Sequence, residues 1–388
     1  MSTSVTERPA GHDAAPVRGP KVDDGRLKPG RLALGFLGMV VVVWAIANLF
    51  LAFAYYPGVF LGGSKIVIGL LALVAGVGGA ALFFYFLNMF VEALPRRLSE
   101  GLIPYAFLLP GFGLMSLMLL YPTIQTFVYS FANKDSTAWV GMQNYKEVIA
   151  DQEFRTSLFN NFLWLLIVPA TTVALGVIVA VLADKLSAQG EKVAKSAIFL
   201  PMAISFVGAS AIWNLVYAWN PEGSAQTGLL NATYTALGGS PQTWLQISSG
   251  RLNSLLLMII LIWLQVGFAM VLLGSAIKGV PDDTLEAARI DGASEWQIFW
   301  KVIIPQIWGT ILSVFITTVI LVLKVFDIVY VLTNGRDKTN VIANLFFNEM
   351  FANSNAGKAS AIVVILLLLI IPVLIYQVKM FREQEANR

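Results

Sequence analysis

About eight stretches of apolar residues, at 33–56, 66–91, 103–131, 158–183, 195–218, 253–277, 306–331 and 359–380, each match the ~20 residues that a helix needs to cross a bilayer. Hydrocarbon offers no water to an unpaired backbone group, so such a chain is confined to an all-α class, a polytopic membrane bundle of helices. The composition agrees, with 57% apolar residues against 13% charged. Three function classes fall away at once. The net charge is only +3 and its cations are scattered, which is no nucleic-acid footprint. The cysteine count of 0 removes disulfides, thiolate metal sites and cysteine nucleophiles. The single histidine, His12, lies in a polar tail, so a histidine proton relay and a Ser-His-Asp hydrolase are also excluded. No metal ligand set and no cofactor site is expected.

Residues 1–30 are polar, Pro/Gly-rich and without apolar period, and are expected to form a disordered tail. Ala52-Phe53-Ala54 formally fits a signal-peptidase site, but the apolar run before it is longer than a signal core and is not expected to be cleaved. If the tail is inside, the inner connections carry roughly twice the Lys and Arg of the outer ones, which predicts both termini cytoplasmic in a plasma-membrane protein. Tyr55, Tyr56, Tyr129, Trp139, Trp219, Trp244 and Tyr330 then fall at the outer headgroup level, where amphipathic rings prefer to sit. Pro110, Pro122 and Pro169 inside the spans predict kinks whose freed carbonyls neighbouring helices must satisfy. The expected organisation is a tail (1–30), two additional N-terminal helices (31–98) and a six-helix core (99–388).

The most informative connection is 278–305, KGVPDDTLEAARIDGASEWQIFWKVIIP, on the predicted cytoplasmic side. Asp283 with Glu286 reads as a capping box opening a short helix, and Gly292 as the left-handed exit that closes it. Ser294 with Gln297 reads as a second capping box, starting a helix that runs to Pro305. Two capped helices around an Asp291-Gly292 hinge make a stiff protrusion. Trp296, Phe299, Trp300 and Ile303 make the second helix apolar on more than one side, so it should be covered by something, whether a protein partner, the bundle or lipid headgroups.

Glu286, Ala287, Ala288, Asp291, Gly292, Ala293, Phe299 and Pro305 resemble the EAA motif of bacterial ABC importer permeases. Three further segments are similar to sugar permeases of the maltose-transporter type. These are Trp139 to Tyr145, Phe199-Leu200-Pro201 with Trp213-Asn214, and Phe326-Asp327 followed by Leu332-Thr333-Asn334-Gly335. Two departures stand out: Trp308, where those permeases often carry a second proline, and Arg336-Asp337, where they carry Gly-Pro. The resemblance covers roughly 99–388 and implies an ABC type I importer permease fold. It implies that Glu286, Ala287 and Gly292 act with the rest of the motif as residues coupling to an ATPase. The implied partners are two ABC ATPase subunits, a second permease chain forming a heterodimer, an extracytoplasmic sugar-binding protein and membrane lipid. The mechanism implied is alternating access, driven from outside the chain, which lacks a G-x-x-x-x-G-K-[ST] phosphate loop and is not expected to be an enzyme.

A pathway for a neutral sugar needs hydrogen-bonding groups and aromatic faces at mid-membrane. Ser205, Ser210, Asn214, Gln265, Thr317 and Thr318 supply the first, Trp213 and Trp263 the second; helix–helix hydrogen bonding is the competing use of the polar six. Lys324 and Asp327, three residues apart, are expected to share a helix face as an intramembrane ion pair or, alternatively, to touch substrate. They are also the only in-span groups on which an ion-coupled secondary transporter, the rival reading, could draw. A permease for a non-sugar solute such as a glycerol phosphate is the other alternative.

Overall fold

The computed structural model describes residues 27–60 and 63–386; the expected tail, up to position 26 and including His12, lies outside the described residues. The chain divides into two compact units, Met1–Pro122 and Thr123–Arg388.

In the first unit α1 (Pro29–Tyr55) and α2 (Lys65–Glu92) form a close hairpin. Gly35 allows it: a Cβ there would stand 2.7 Å from the backbone nitrogen of Phe90. Outside that seam both helices present Leu, Val and Phe to their surroundings, as expected of helices whose solvent is lipid. The next helix, α3 (Arg96–Met115), runs into a π turn at Ser116–Leu120, where the Tyr121 N–H reaches back five residues to Ser116. Pro122 explains the widening, since it has no N–H to donate and its ring crowds the carbonyl four residues back.

The second unit carries the remaining spans. After α4 (Tyr121–Tyr129) and α5 (Gln143–Ala150), α6 (Gln152–Asp184) crosses in one piece, its first turn capped by Asp151 Oδ1 on the Glu153 N–H at 2.8 Å. The expected fifth span, 195–218, is broken. It consists of α7 (Ala188–Phe199), a 3-10 turn at Leu200–Ala203 and α8 (Phe206–Val216), bent by 106°. Pro201 ends the first half, and Ser205 caps the second by accepting the Gly208 N–H at 3.1 Å. A short α9 (Leu229–Ala236) follows, its loop held by the Asn231 amide, which bonds Ala218, Gln242 and Trp244.

The hub is α10 (Leu252–Lys278), most of whose residues are buried. Helix α6 lies parallel to it along its whole length: Asn160 meets Arg251 at one end, Gly176 presses on Ala269 midway, and Asp184 meets Lys278 at the other. Small residues make the approach possible, because packing between membrane helices depends on backbone proximity rather than on hydrophobic drive.

The expected seventh span, 306–331, differs at both ends. Beyond α11 (Asp282–Ile290), α12 (Glu295–Ile298) widens into a π turn at Phe299–Ile303 and continues as α13 (Ile304–Gln306). The crossing helix α14 (Trp308–Leu323) then departs at 68° to that stretch. The π turn stands directly ahead of Pro305, as the one at Ser116–Leu120 stands ahead of Pro122, and for the same reason. At its far end α14 stops at Leu323, the backbone is non-helical through Phe326 (φ −145°, ψ −60°), and α15 (Asp327–Leu332) restarts. The break places the Phe326 ring on Tyr330 and Phe347, with centroids 5.1 and 5.0 Å away. By length and composition, 6 described helices are long and apolar enough to cross a membrane, and up to 8 if each bent pair is one span.

The end of this unit remote from 278–305 is tied by side-chain amides. Where Arg336-Asp337 departs from the sugar-permease pattern, Asp337 and Lys338 are left-handed, and their carbonyls accept from Asn253, Asn160 and Arg251 at 2.7–2.8 Å. The last elements, α16 (Ile342–Phe347) and α17 (Ala356–Ala386), are joined to α6 through Lys358, whose Nζ meets Asp151 at 3.0 Å and Glu349 at 2.9 Å.

Candidate functional site: the loop at 278–305

The loop begins where α10 ends. Pro281, not an aspartate, occupies the N-cap of α11, so the Asp283–Glu286 capping box read from the sequence is absent. The helix starts two residues earlier than that reading needs, which puts Asp282 and Asp283 inside the first turn, beside the positive end of the helix dipole. The exit follows the sequence reading. Gly292 adopts φ +81°, its N–H bonds Arg289 and the Ala293 N–H bonds Ala288, both at 3.0 Å, the paired closure of a Schellman turn. A Cβ on Gly292 would touch nothing, so glycine is required there by backbone conformation and not by space. The second capping box is present, Ser294 with Gln297.

One face of this protrusion is anchored. Ile298 and Ile307 are buried, and Leu285, Phe299 and Ile303 pack against Val177, Leu273 and Val314 of the crossing helices. The other face is bare: Ile290 is 86% exposed, Trp296 71% and Trp300 51%, the two indoles meeting edge to face at 5.7 Å. Glu286, Ala287, Asp291 and Pro305 lie on the accessible side, while Ala288 and Ala293 are half-buried. Thus the resemblance-derived residues form one continuous element, with Glu286, Ala287, Asp291, Gly292 and Pro305 exposed and Phe299 turned toward the crossing helices. Arg289, whose guanidinium bonds Glu295, is held above the ordinary arginine range by that bond. Between the loop, α6 and α10 lies a cleft of about 810 Å³, walled by Val177, Val181, Leu285 and Phe299 and edged by Lys278.

The expected pathway residues do not form one cluster. Trp213 and Trp263 are together, edge to face at 5.8 Å, beside a cavity of about 530 Å³ whose wall is nearly all apolar, Thr171 excepted. Four hydroxyls are committed to backbone: Ser205 to the α8 cap, Ser210 to Phe206, Thr317 to Ser313 and Thr318 to Val314. Asn214 is exposed. Gln265 is buried at 6% exposure and, among the described residues, has no hydrogen bond. The parallel register that sets Gly176 on Ala269 brings Thr172 to its level, and the Thr172 hydroxyl is likewise buried and unpartnered, as is Trp164 Nε1 on the same face. Sequence reading missed Thr172 and Trp164, because only the α6–α10 pairing reveals them as buried polar groups.

Lys324 and Asp327 are not the intrahelical pair that their spacing suggested. They flank the break after α14, Lys324 exposed and Asp327 half-buried, and no ion pair joins them among the described residues. The three-residue spacing brings two groups together only in an unbroken helix.

The family profile "binding-protein-dependent transport system inner membrane component" matches residues 172–382, from the middle of α6 through the loop to α17. The chain belongs to this family. The permease is 43% identical to the alpha-glucoside transport system permease protein AglF of Rhizobium meliloti, over 81% of its own length and 97% of that protein's. It is 50% identical to the osmoprotective compounds uptake permease protein GgtC of Synechocystis, over 72% of this chain and 99% of that one. The fold is that of a crystallised bacterial alginate ABC transporter in complex with an alginate pentasaccharide-bound periplasmic protein. The TM-score to its matching chain is 0.62 at 19% identity, covering 74% of the permease and 96% of that chain. The permease is therefore a multi-pass membrane subunit of an ABC importer.

Proposed function

We propose that the permease carries an uncharged sugar of the α-glucoside kind inward across the plasma membrane by alternating access, with both termini and the loop at 278–305 in the cytoplasm. The observation that carries the sugar is the likeness to an alpha-glucoside permease over 97% of that protein's length. The chemistry of the spans supports an uncharged solute: the buried polar groups along α6, α8, α10 and α14 are Ser, Thr, Asn and Gln. In this reading Glu286, Ala287, Ala288, Asp291, Gly292, Ala293, Phe299 and Pro305 form the contact with a separate ATPase pair, and the bare indoles of Trp296 and Trp300 are covered by it. A second, non-identical permease chain completes the pathway, to which Trp213, Trp263 and Gln265 contribute. A periplasmic protein such as the one bound to the alginate transporter delivers the sugar.

The test is uptake into proteoliposomes by the permease assembled with an ABC ATPase, a second permease chain and an extracytoplasmic binding protein. ATP-dependent accumulation of a labelled α-glucoside is expected; accumulation driven by an ion gradient without ATP would overturn the reading. The likeness to an osmoprotectant permease favours a second solute class, and competition by a betaine or polyol in place of a glucoside decides between them.

A further inference from the structure

Three helix ends converge on one side chain at the root of the loop. Lys278 is the last residue of α10, and its Nζ lies 3.0 Å from Asp184, the last residue of α6, and 2.7 Å from Glu191, in the first turn of α7. The Glu191 carboxylate is shared with Lys195 one turn on. The corner between α6 and α7 is short and capped, Ser187 accepting the Gly190 N–H at 3.3 Å, so this corner is a defined object and not a slack linker.

Two surroundings give the contact a purpose. The cleft of about 810 Å³ separates much of the loop's inner face from α6, so apolar packing joins these parts incompletely and specific bonds matter more. Helix α7 is also fixed at its other end: a Cβ on Gly267 would stand 2.4 Å from the Ile198 carbonyl, so the end of α7 rests directly on the α10 backbone. Held at Lys278 and at Gly267, α7 follows α10 and leads straight into the 106° break before α8, which carries Trp213.

We propose that Lys278 is a positioning residue for energy coupling: it clasps the α6–α7 corner to the root of the loop, so that movement of the loop is delivered to the broken fifth span. The inference rests on the importer reading above. Loss of the clasp leaves the ATPase contact intact and spends hydrolysis without moving the helices that line the pathway.

The experiment measures solute imported per ATP hydrolysed, in the same proteoliposomes, by the assembled transporter. Lys278→Met is expected to lower that ratio about threefold or more while hydrolysis continues, and Lys278→Arg to keep it within about twofold of wild type, the scale of effect that exposed ion pairs carry. Asp184→Asn with Glu191→Gln is expected to reproduce the loss, and adding Lys278→Met to that pair to change nothing further, as for residues acting through one contact. An unchanged ratio in Lys278→Met, or an equal further drop when it is added to the carboxylate pair, overturns the proposal. Should Lys278→Met fail to co-purify with the ATPase, the assembled carboxylate double variant decides by the same ratio. A wild-type complex that imports solute without hydrolysing ATP would sink the importer reading itself, a distinct result.

Discussion

Across the left-handed turn at Gly292, Arg289 Nε donates to Glu295 Oε1 at 3.0 Å and ties the last turn of α11 to the first residue of α12. Both side chains are more than half exposed, so the pair is a fastening and not the source of the turn's shape. That shape comes from φ +81° at Gly292 and from the two Schellman bonds it allows. A β-branched residue in that conformation costs about 1–2 kcal/mol or more, whereas asparagine tolerates it. Gly292→Val is therefore expected to abolish ATP-dependent uptake while membrane insertion survives, and Gly292→Asn to keep most of it. Equal transport by both variants and wild type, measured in proteoliposomes, would remove the turn from the coupling mechanism.

Ile290, at 86% exposure on the final turn of α11, is left uncovered by the described residues. A partner that covers it would lose affinity on Ile290→Asp, which places a carboxylate in an apolar contact. Pull-down of the ATPase is expected to fall at least about tenfold, the range of a well-buried interface residue. Retention at wild-type level would place the ATPase contact elsewhere.

The loop was legible because its signals are local. A glycine exit and a Ser-x-x-Gln box act within one turn of chain, and both are present where the residues put them. Asp283 misled because Pro281 and two acidic side chains, Asp282 and Asp283, compete for one helix start, and only the backbone decides which residue is the cap. The broken fifth and seventh spans were not legible, since an apolar run of the right length says nothing of an interruption that a Ser205 cap or a Phe326 aromatic contact supports. Lys324 and Asp327 failed for the same reason, their spacing having presumed the helix that breaks between them. Thr172 and Trp164 were inaccessible to single-helix reading, because their burial depends on which helix lies beside which.

Asp151 makes one contact sensitive to acid. Burial works to raise its pKa, but the bonds from Lys358 and from the Glu153 N–H outweigh it, and the carboxyl is held below its ordinary 3.8. A depressed carboxylate contributes stability that is complete above 3.8 and is lost as pH falls through the lower folded value. The groups facing it are Lys358 and, across that ammonium, Glu349. In detergent at neutral pH Asp151→Asn is expected to melt a few degrees below wild type. The gap should close as the pH is taken below 3.8. A gap that stays constant down to pH ~2 would show that charge at Asp151 is not what fastens α6 to α17.

Gln265 is the residue whose two uses separate most cleanly. A buried amide without a partner costs on the order of 1–3 kcal/mol, so replacing it by leucine of similar volume should stabilise the bundle if the environment stays apolar throughout. In a transporter that alternates between states, the same amide can instead meet solute when the α6–α10 face opens, and its cost in the closed form is then offset by binding in another. The two accounts predict different pairs of results for Gln265→Leu: a higher melting temperature with unchanged uptake, or a higher melting temperature with uptake several-fold lower at limiting solute. The second is expected, because Thr172 stands at the same level with a buried hydroxyl that has no partner, and with the Gln265 side chain on the facing helix it makes a polar step along the spans. Thr172→Val should then lower uptake in the same direction, and the double variant should fall by less than the product of the two, as for groups that share one ligand. Unaffected uptake in both single variants would assign these groups to the packing of the bundle alone.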